Sequence, residues 1–247
     1  MSIKIYNDMV EQLNIFKKKR RKASDSDIIF ELKNFNEFGK KTEFLVRNGI
    51  SYFVNEYWTA GQRKTNSIHE ISYRACFKAQ LPEFFIERLT KKGDAVHDPF
   101  MGRGTTPIQA ALMERKAFGN DINPLSIILT RPRMRTVNAQ EVSNALKSIN
   151  FKNGEIVRKD LLAFYHKKTL IGLEALKKWL NINAPLSKKN PNPIADWIRM
   201  VAINRLSGHS PGFFSGRSMP PNQAVSIKAQ QKINIKLGLN PPAKDIE

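Results

Sequence analysis

The sequence predicts an α/β fold whose second half is largely helical, and three observations carry that prediction. A short stretch, Ala95-Val96-His97, runs directly into a turn with two glycines and then into helix-forming residues. A second short stretch, Lys116-Ala117-Phe118-Gly119-Asn120-Asp121, reads as a strand after that helix, so the order is strand, glycine turn, helix, strand. Beyond residue 138 the apolar residues recur mainly at helical spacing, which leaves too few strands there to extend a sheet.

Residues 1 to about 60 are mixed. The basic run Lys17-Lys18-Lys19-Arg20-Arg21-Lys22 ends a helix, and phosphate contact and a solvated surface are equally good accounts of it. Ser51-Tyr52-Phe53-Val54-Asn55-Glu56-Tyr57-Trp58 is aromatic-rich and partly alternating, open between a strand and a docking segment. From Leu81 to Lys92, Leu81, Phe85 and Leu89 recur at helical spacing with Phe84 and Ile86 beside them, and Gly93 stops that helix. Pro107 to Arg115 restores helical character, with Pro107 tolerated in the first turn.

In the second half Asn138 caps a helix with Glu141 three residues on, and Leu170, Leu173, Leu176 and Leu180 form a stripe that core packing explains without a ligand. A further helix runs from Ile194 to Leu206, with Trp197, Ile198, Val201 and Leu206 mostly on one side and Gly208 at its end. The loop from Gly208 to Asn222 follows. Its Phe213, Phe214 and Arg217 could stack on and neutralise DNA, but an ordinary surface loop is the better account. A last basic helix is terminated by Gly238, and no internal repeat is present. The organisation is a basic and aromatic segment over 1–64, an α/β part over 65–130, and a helical region over 131–247.

At 247 residues, with 41% hydrophobic and 26% charged, the chain has the composition of a globular domain that can bury a substantial core. Its 41 Lys and Arg against 22 Asp and Glu give a net charge of +19, which favours a polyanionic partner, nucleic acid first. No stretch approaches the roughly 18 apolar residues of a membrane span, and the first residues do not read as a secretory signal, so a cytoplasmic protein is expected. A lone Cys76 excludes an internal disulfide and a multi-cysteine zinc site, and no metal is expected.

A glycine pair between a strand and a helix lets a ligand approach the backbone closely, and the helix N-terminus behind it offers unpaired amides. Gly102-Arg103-Gly104 lacks the third glycine of a dinucleotide fingerprint, with Pro107 near that place, but the context suits a nucleoside. Asp121 ends the next strand, where α/β nucleotide sites place the carboxylate that grips ribose hydroxyls. Asp98, ending the first strand, can accept a hydrogen bond from an amino group.

The stretch Asp98-Pro99-Phe100-Met101-Gly102-Arg103-Gly104-Thr105-Thr106 closely resembles the cofactor motif of DNA methyltransferases that modify exocyclic amines. Upstream, the segment His69 to Pro82, with Tyr73, resembles the one that in this family packs over the methionine part of the cofactor. Downstream, Gly119-Asn120-Asp121-Ile122-Asn123-Pro124 is similar to the acidic strand end that holds the ribose. The resemblance spans residues 65 to 125 and implies a Rossmann-like methyltransferase sheet, incomplete in this chain. It also implies S-adenosylmethionine as cofactor, double-stranded DNA as substrate and a restriction-modification setting. The site residues it implies are His69, Tyr73, Asp98, Pro99, Phe100, Gly102, Gly104, Thr105, Thr106, Asp121 and Asn123. Cys76 reads as inert: a carbon-5 cytosine enzyme needs an activated cysteine in a loop, and Cys76 lies between Ala75 and Phe77 near a helix start.

Methyl transfer to an exocyclic amine needs the flipped base held in line with the methylsulfonium. In the family a Ser, Asp or Asn followed by Pro-Pro and an aromatic residue does this. Met219-Pro220-Pro221-Asn222 lacks the polar first residue and the aromatic; Asn240-Pro241-Pro242-Ala243 lacks the aromatic. Asn240 is therefore a weak catalytic candidate, and a frayed tail after Gly238 is the better account of it. The expectation is the cofactor-binding part of a split or truncated enzyme, with truncation, a split gene and a separate catalytic polypeptide all open. The alternatives are a non-catalytic nucleic-acid-binding subunit or remnant, and an RNA methyltransferase.

Overall fold

The computed structural model describes residues 25–59, 66–71, 73, 76–187, 191–208, 211–216 and 225–246. The basic run at 17–22 and the loop residues 209–210 and 217–222 lie outside them. The chain divides into two compact units, one drawn from 1–66, 77–98 and 105–118, the other from 67–76, 99–104 and 119–247.

The first unit opens with α1 (Asp25–Lys33) and a hairpin of β1 (Glu43–Arg47) and β2 (Ile50–Val54), paired antiparallel from Glu43↔Val54 to Arg47↔Ile50. The intervening Asn48 and Gly49 have φ of +51° and +74°, and two positive values in a two-residue loop are what a tight hairpin with the native strand twist requires. The open stretch at 51–58 thus begins as a strand, and its aromatic end packs inward. Phe35, Tyr57, Trp58, Phe84 and Phe85 form one ring cluster, with Phe35 edge-on to Phe84 at 5.9 Å. Phe84 comes from α2 (Gln80–Leu89), whose Arg88 lies over the Phe84 ring at 3.7 Å and pairs with Glu31 at 2.9 Å.

After α2 the chain turns at Gly93, whose φ is +85°. It then forms β3 (Ala95–Asp98), α3 (Thr105–Leu112) and β4 (Lys116–Gly119). The strands β3 and β4 pair as a two-stranded sheet. Arg115 fixes the entry to β4 by donating to the hydroxyl and carbonyl of Thr90, both at 2.9 Å. Among the described residues these two small sheets are the whole β content, and a wider Rossmann-like sheet is not assembled there.

The second unit is helical: α4 (Pro124–Thr130), α5 (Ala139–Lys147), α6 (Lys167–Asn183), α7 (Pro193–Arg205) and α8 (Ile227–Leu237). Every one of these five helices starts on a side-chain cap, from Asn123, Asn138, His166, Asn192 and Ser226 in turn, each satisfying amides that would otherwise be orphaned. Leu176 and Leu180 of α6 pack with Ala195, Ile198 and Ala202 of α7, and Leu173 flanks them.

The apolar side expected for α7 needs correction, because Val201 is 40% exposed. Asp196 and Arg199 take inward positions instead and are buried because they are partnered. Arg131 grips Asp196 with two bonds of 2.7 and 2.8 Å, and Arg199 donates to the Leu180 carbonyl at 3.0 Å. The helix also stops at Arg205, short of Gly208, whose own role is to let the Phe213 ring lie against it. Phe214 packs on the helical core, so this pair is not free to stack on bases.

The frayed tail expected after Gly238 is a second correction. Gly238 does cap α8 in the left-handed conformation, with φ of +59°. Beyond it, Lys244 N–H donates to Thr169 Oγ1 at 2.7 Å and Ile246 is buried between α6 and α7 residues. Burying an isoleucine contributes about 1.5–3 kcal/mol, and the Thr169 bond and the packing of Pro241 and Pro242 on Gly216 add to it in holding the segment.

Candidate cofactor site at the glycine turn

The segment Pro99–Gly104 makes the turn between β3 and α3. Gly102 and Gly104 have φ of +51° and +85°, a region that costs other residues roughly 1–2 kcal/mol. Gly104 is also required by packing, since a Cβ there would lie 2.3 Å from Thr130 Oγ1. A Cβ on Gly102 would touch the Tyr73 ring at 3.4 Å, so that ring lies directly over the turn.

Asp121 organises what faces the turn. Its Oδ2 accepts from Gly102 N–H at 2.8 Å and its Oδ1 from Asn123 N–H at 2.9 Å. These bonds, the Asn123 amide first and the Gly102 amide second, hold its carboxyl below the ordinary value of 3.8, so it stays ionised. Asn123 caps α4 through Leu125 N–H and donates from Nδ2 to the Tyr73 hydroxyl at 3.4 Å. Gly102, Tyr73, Asp121 and Asn123 are thus brought together by direct contacts.

The other expected residues are held by contacts of their own. His69 is buried in the 3-10 turn Ser67–His69. The Pro99 carbonyl accepts from Asn120 Nδ2 at 3.2 Å, and Phe100 projects outward, 85% exposed. Asp98 closes β3, while Thr105 and Thr106 open α3, the first buried and the second half-buried. Cys76 is exposed with its thiol 3.5 Å from the Tyr73 carbonyl. Asn240 belongs to a different place, the exposed rim of a cavity of about 320 Å³ lined by Phe164, Gly216, Pro241 and Pro242.

Two arginines not anticipated from the sequence hold the turn in place. Arg103 donates to the Ile71 carbonyl at 2.8 Å. Arg133, buried, donates to the carbonyls of Leu129 at 2.7 Å, Ile68 at 2.9 Å, and Arg103. Burial, and then the neighbouring Arg103 cation, pulls its guanidinium down to about 10. The spaced arginines of Arg131-Pro132-Arg133-Met134-Arg135 were the signal, because basic residues directly after an apolar helix need acceptors.

The cluster fits the ribose end of a nucleoside. An ionised carboxylate has about four acceptor positions; the two amides use one on each oxygen and the Ser126 hydroxyl also bears on it, so acceptor capacity is left for a ligand hydroxyl. Among the described residues no group of three or more His, Cys, Asp or Glu side chains is placed to hold a metal, and no helix is long and apolar enough to cross a membrane.

The chain matches the family model of N6/N4 DNA methylases over residues 2–128, just over half its length, and it belongs to that DNA methylase family. It is 28% identical over 150 residues to the type II methyltransferase M.MjaII of Methanocaldococcus jannaschii, covering 58% of this chain and 28% of that one. It is 33% identical over 121 residues to the type II methyltransferase M.BsoBI of Geobacillus stearothermophilus, covering 47% and 22%. With M.MvaI of Kocuria varians, a type II methyltransferase, it shares 25% identity over 127 residues, 44% and 28% of the two chains. The matched part of the chain spans about a quarter of the length of these curated relatives. No solved structure matches the chain.

Proposed function

We propose that this chain is the cofactor-binding part of an S-adenosylmethionine-dependent DNA methyltransferase acting on an exocyclic amine, adenine N6 or cytosine N4. The observation that carries the proposal is the convergence of Gly102, Tyr73, Asp121 and Asn123 at a glycine turn whose two glycines both have positive φ. The cofactor supplies an electrophilic methyl group on a sulfonium. The chain's residues bind and orient it. Asp121 accepts from the ribose hydroxyls, while Asn123 holds the Tyr73 hydroxyl and thereby the ring. The Gly102 and Gly104 backbone, with Pro99, Phe100, Thr105 and Thr106 around it, admits the nucleoside. Asp98 accepts from the amino group of the methionine part, and the segment carrying His69 and Tyr73 covers it.

In this reading residues 65–130 bind the cofactor, 1–64 and 131–247 flank them, and the net charge of +19 holds double-stranded DNA. The setting is a cytoplasmic restriction-modification system. One observation favours the alternative of a non-catalytic nucleic-acid-binding subunit: Ala243 stands where the aromatic residue would follow Asn240-Pro241-Pro242.

Calorimetric titration with S-adenosylmethionine tests the proposal, with a dissociation constant on the order of micromolar expected. Unchanged affinity in Asp121→Ala would remove the ribose assignment. Transfer of labelled methyl to unmethylated DNA by the chain alone, absent in Asp98→Ala, would show that no partner polypeptide is needed and make Asn240 the leading catalytic residue.

A further inference from the structure

The helix α8 (Ile227–Leu237) turns two unlike faces to its surroundings. One is fixed against the second unit: Gln230 is 3% exposed and donates to Asn234 Oδ1 at 2.9 Å, and Asn234 donates to the Ala163 carbonyl at 2.8 Å. The outward face consists of Lys228, Gln231, Lys232, Ile235 and Lys236, all exposed. These positions follow the spacing i, i+3, i+4, i+7, i+8, which is one continuous stripe along a helix.

That stripe is not an ordinary solvated surface. Solvated helices mix charges of both signs, whereas α8 contains no Asp or Glu at all. It also leaves Ile235 83% exposed beside the row of cations, on the same flank as Gln231. A face with a row of three lysines along one edge and a bare isoleucine and a carboxamide along the other matches a partner that is anionic along one line and carries apolar and amide-complementary groups beside it.

Duplex DNA has that chemistry. A helix about 10–12 Å across enters a major groove about 12 Å wide. Lysines four residues apart are about 6 Å apart along the axis, close to the separation of neighbouring phosphates along one strand. A glutamine carboxamide pairs with the adenine edge, and an aliphatic side chain packs on the thymine methyl group. We infer that α8 is a groove-reading helix, with Lys228, Lys232 and Lys236 on phosphates and Gln231 and Ile235 on base edges. The inference rests on the DNA methyltransferase reading and goes beyond it, by naming the surface that selects sequence.

The test uses the full chain and duplex DNA with a randomised centre, measuring binding across a range of salt concentrations and sequencing the retained duplexes. The exposed positions tolerate substitution, so the variants stay folded. Lys228→Gln, Lys232→Gln and Lys236→Gln together lower the slope of log affinity on log salt by about 2–3, at roughly 0.9 per lost phosphate contact. The retained sequences are not changed. Gln231→Ala with Ile235→Ala keeps the slope and changes or erases the sequence preference. As a control, Lys177→Gln with Lys178→Gln on the exposed side of α6 alters neither. An unchanged slope in the lysine variant, or an equal drop in the control, overturns the phosphate assignment. A wild-type chain without sequence preference, or an unchanged preference in the Gln231 and Ile235 variant, overturns the readout. Tighter binding to a single-stranded or duplex RNA of matched length overturns DNA as the partner. A chain that binds S-adenosylmethionine but shows no altered slope leaves the methyltransferase reading standing and removes only this helix from it.

Discussion

The glycine turn at Pro99–Gly104 and the proline pair at Pro241–Pro242 are both places where one stretch of backbone runs close against another, yet they are built for opposite ends. At the first, positive-φ Gly102 directs its main-chain amide at an ionised carboxylate while the Gly104 amide closes the turn on the Met101 carbonyl, with an exposed aromatic beside them. At the second, prolines that have no N–H to offer press on Gly216, where a Cβ would lie 3.1 Å from Pro241 Cα and 3.1 Å from Pro242 Cδ. The first arrangement leaves polar groups available to a ligand; the second uses its close approach to pack the end of the chain. The two motifs differ because in one the main-chain N–H groups organise a carboxylate and the turn itself, and in the other proline removes them.

The contrast can be broken by substitution. Gly104→Ala is expected to do the most damage, since it forces a Cβ into Thr130 at a φ of +85°. Strain and overpacking together cost about 2–5 kcal/mol, roughly 5–15 °C in Tm for a chain of this size, read by thermal melting. Asp121→Ala comes next in effect and acts on the ligand. Losing hydrogen bonds to a charged acceptor weakens S-adenosylmethionine by about ten- to a hundredfold in calorimetry.

Gly216→Ala lies on the proline side and should destabilise by only about 1–2 kcal/mol, with cofactor affinity unchanged. If it weakened the cofactor as strongly as Asp121→Ala, the two regions would not be separate in function. Asn240→Ala, exposed and without a role in the packing, should shift stability by less than about 0.5 kcal/mol and leave cofactor affinity as it is.

Acid sharpens the same comparison. Asp121 has its folded pKa depressed by the Asn123 and Gly102 amides, so its contribution to stability is present above its ordinary value of 3.8 and is lost as pH falls through the lowered folded value. Melting curves below about pH 4 should therefore fall more steeply for the wild type than for Asp121→Asn, and parallel curves would show that these amide bonds do not stabilise the fold.

What was legible rests on local signals. The spacing of Leu81, Phe85 and Leu89 announced α2 in the first unit, and in the second the pair Gly102 and Gly104 announced the turn and the acidic Asp121 its place after β4. The β1–β2 hairpin was announced by Asn48-Gly49, the strongest short-range hairpin signal, and was missed because the flanking residues do not alternate cleanly. What could not be read was set by partners distant in sequence. Asp196 is buried because Arg131 reaches it from 65 residues away, and the tail is ordered because Thr169 waits for it 75 residues upstream. Periodicity averages over neighbours along the chain and contains no term for such pairs.

The Arg133 guanidinium, bonded to carbonyls of three separate stretches of the second unit, has a thermodynamic corollary. The stretch around Ile68, the turn at Arg103 and the end of α4 are already immobilised relative to one another before any ligand arrives. Association then requires little additional ordering of the chain. Its heat-capacity change should be small and should track the apolar surface of the ligand alone, and replacing Arg133 with Met should make that change larger and more negative as folding of the turn becomes part of the binding event.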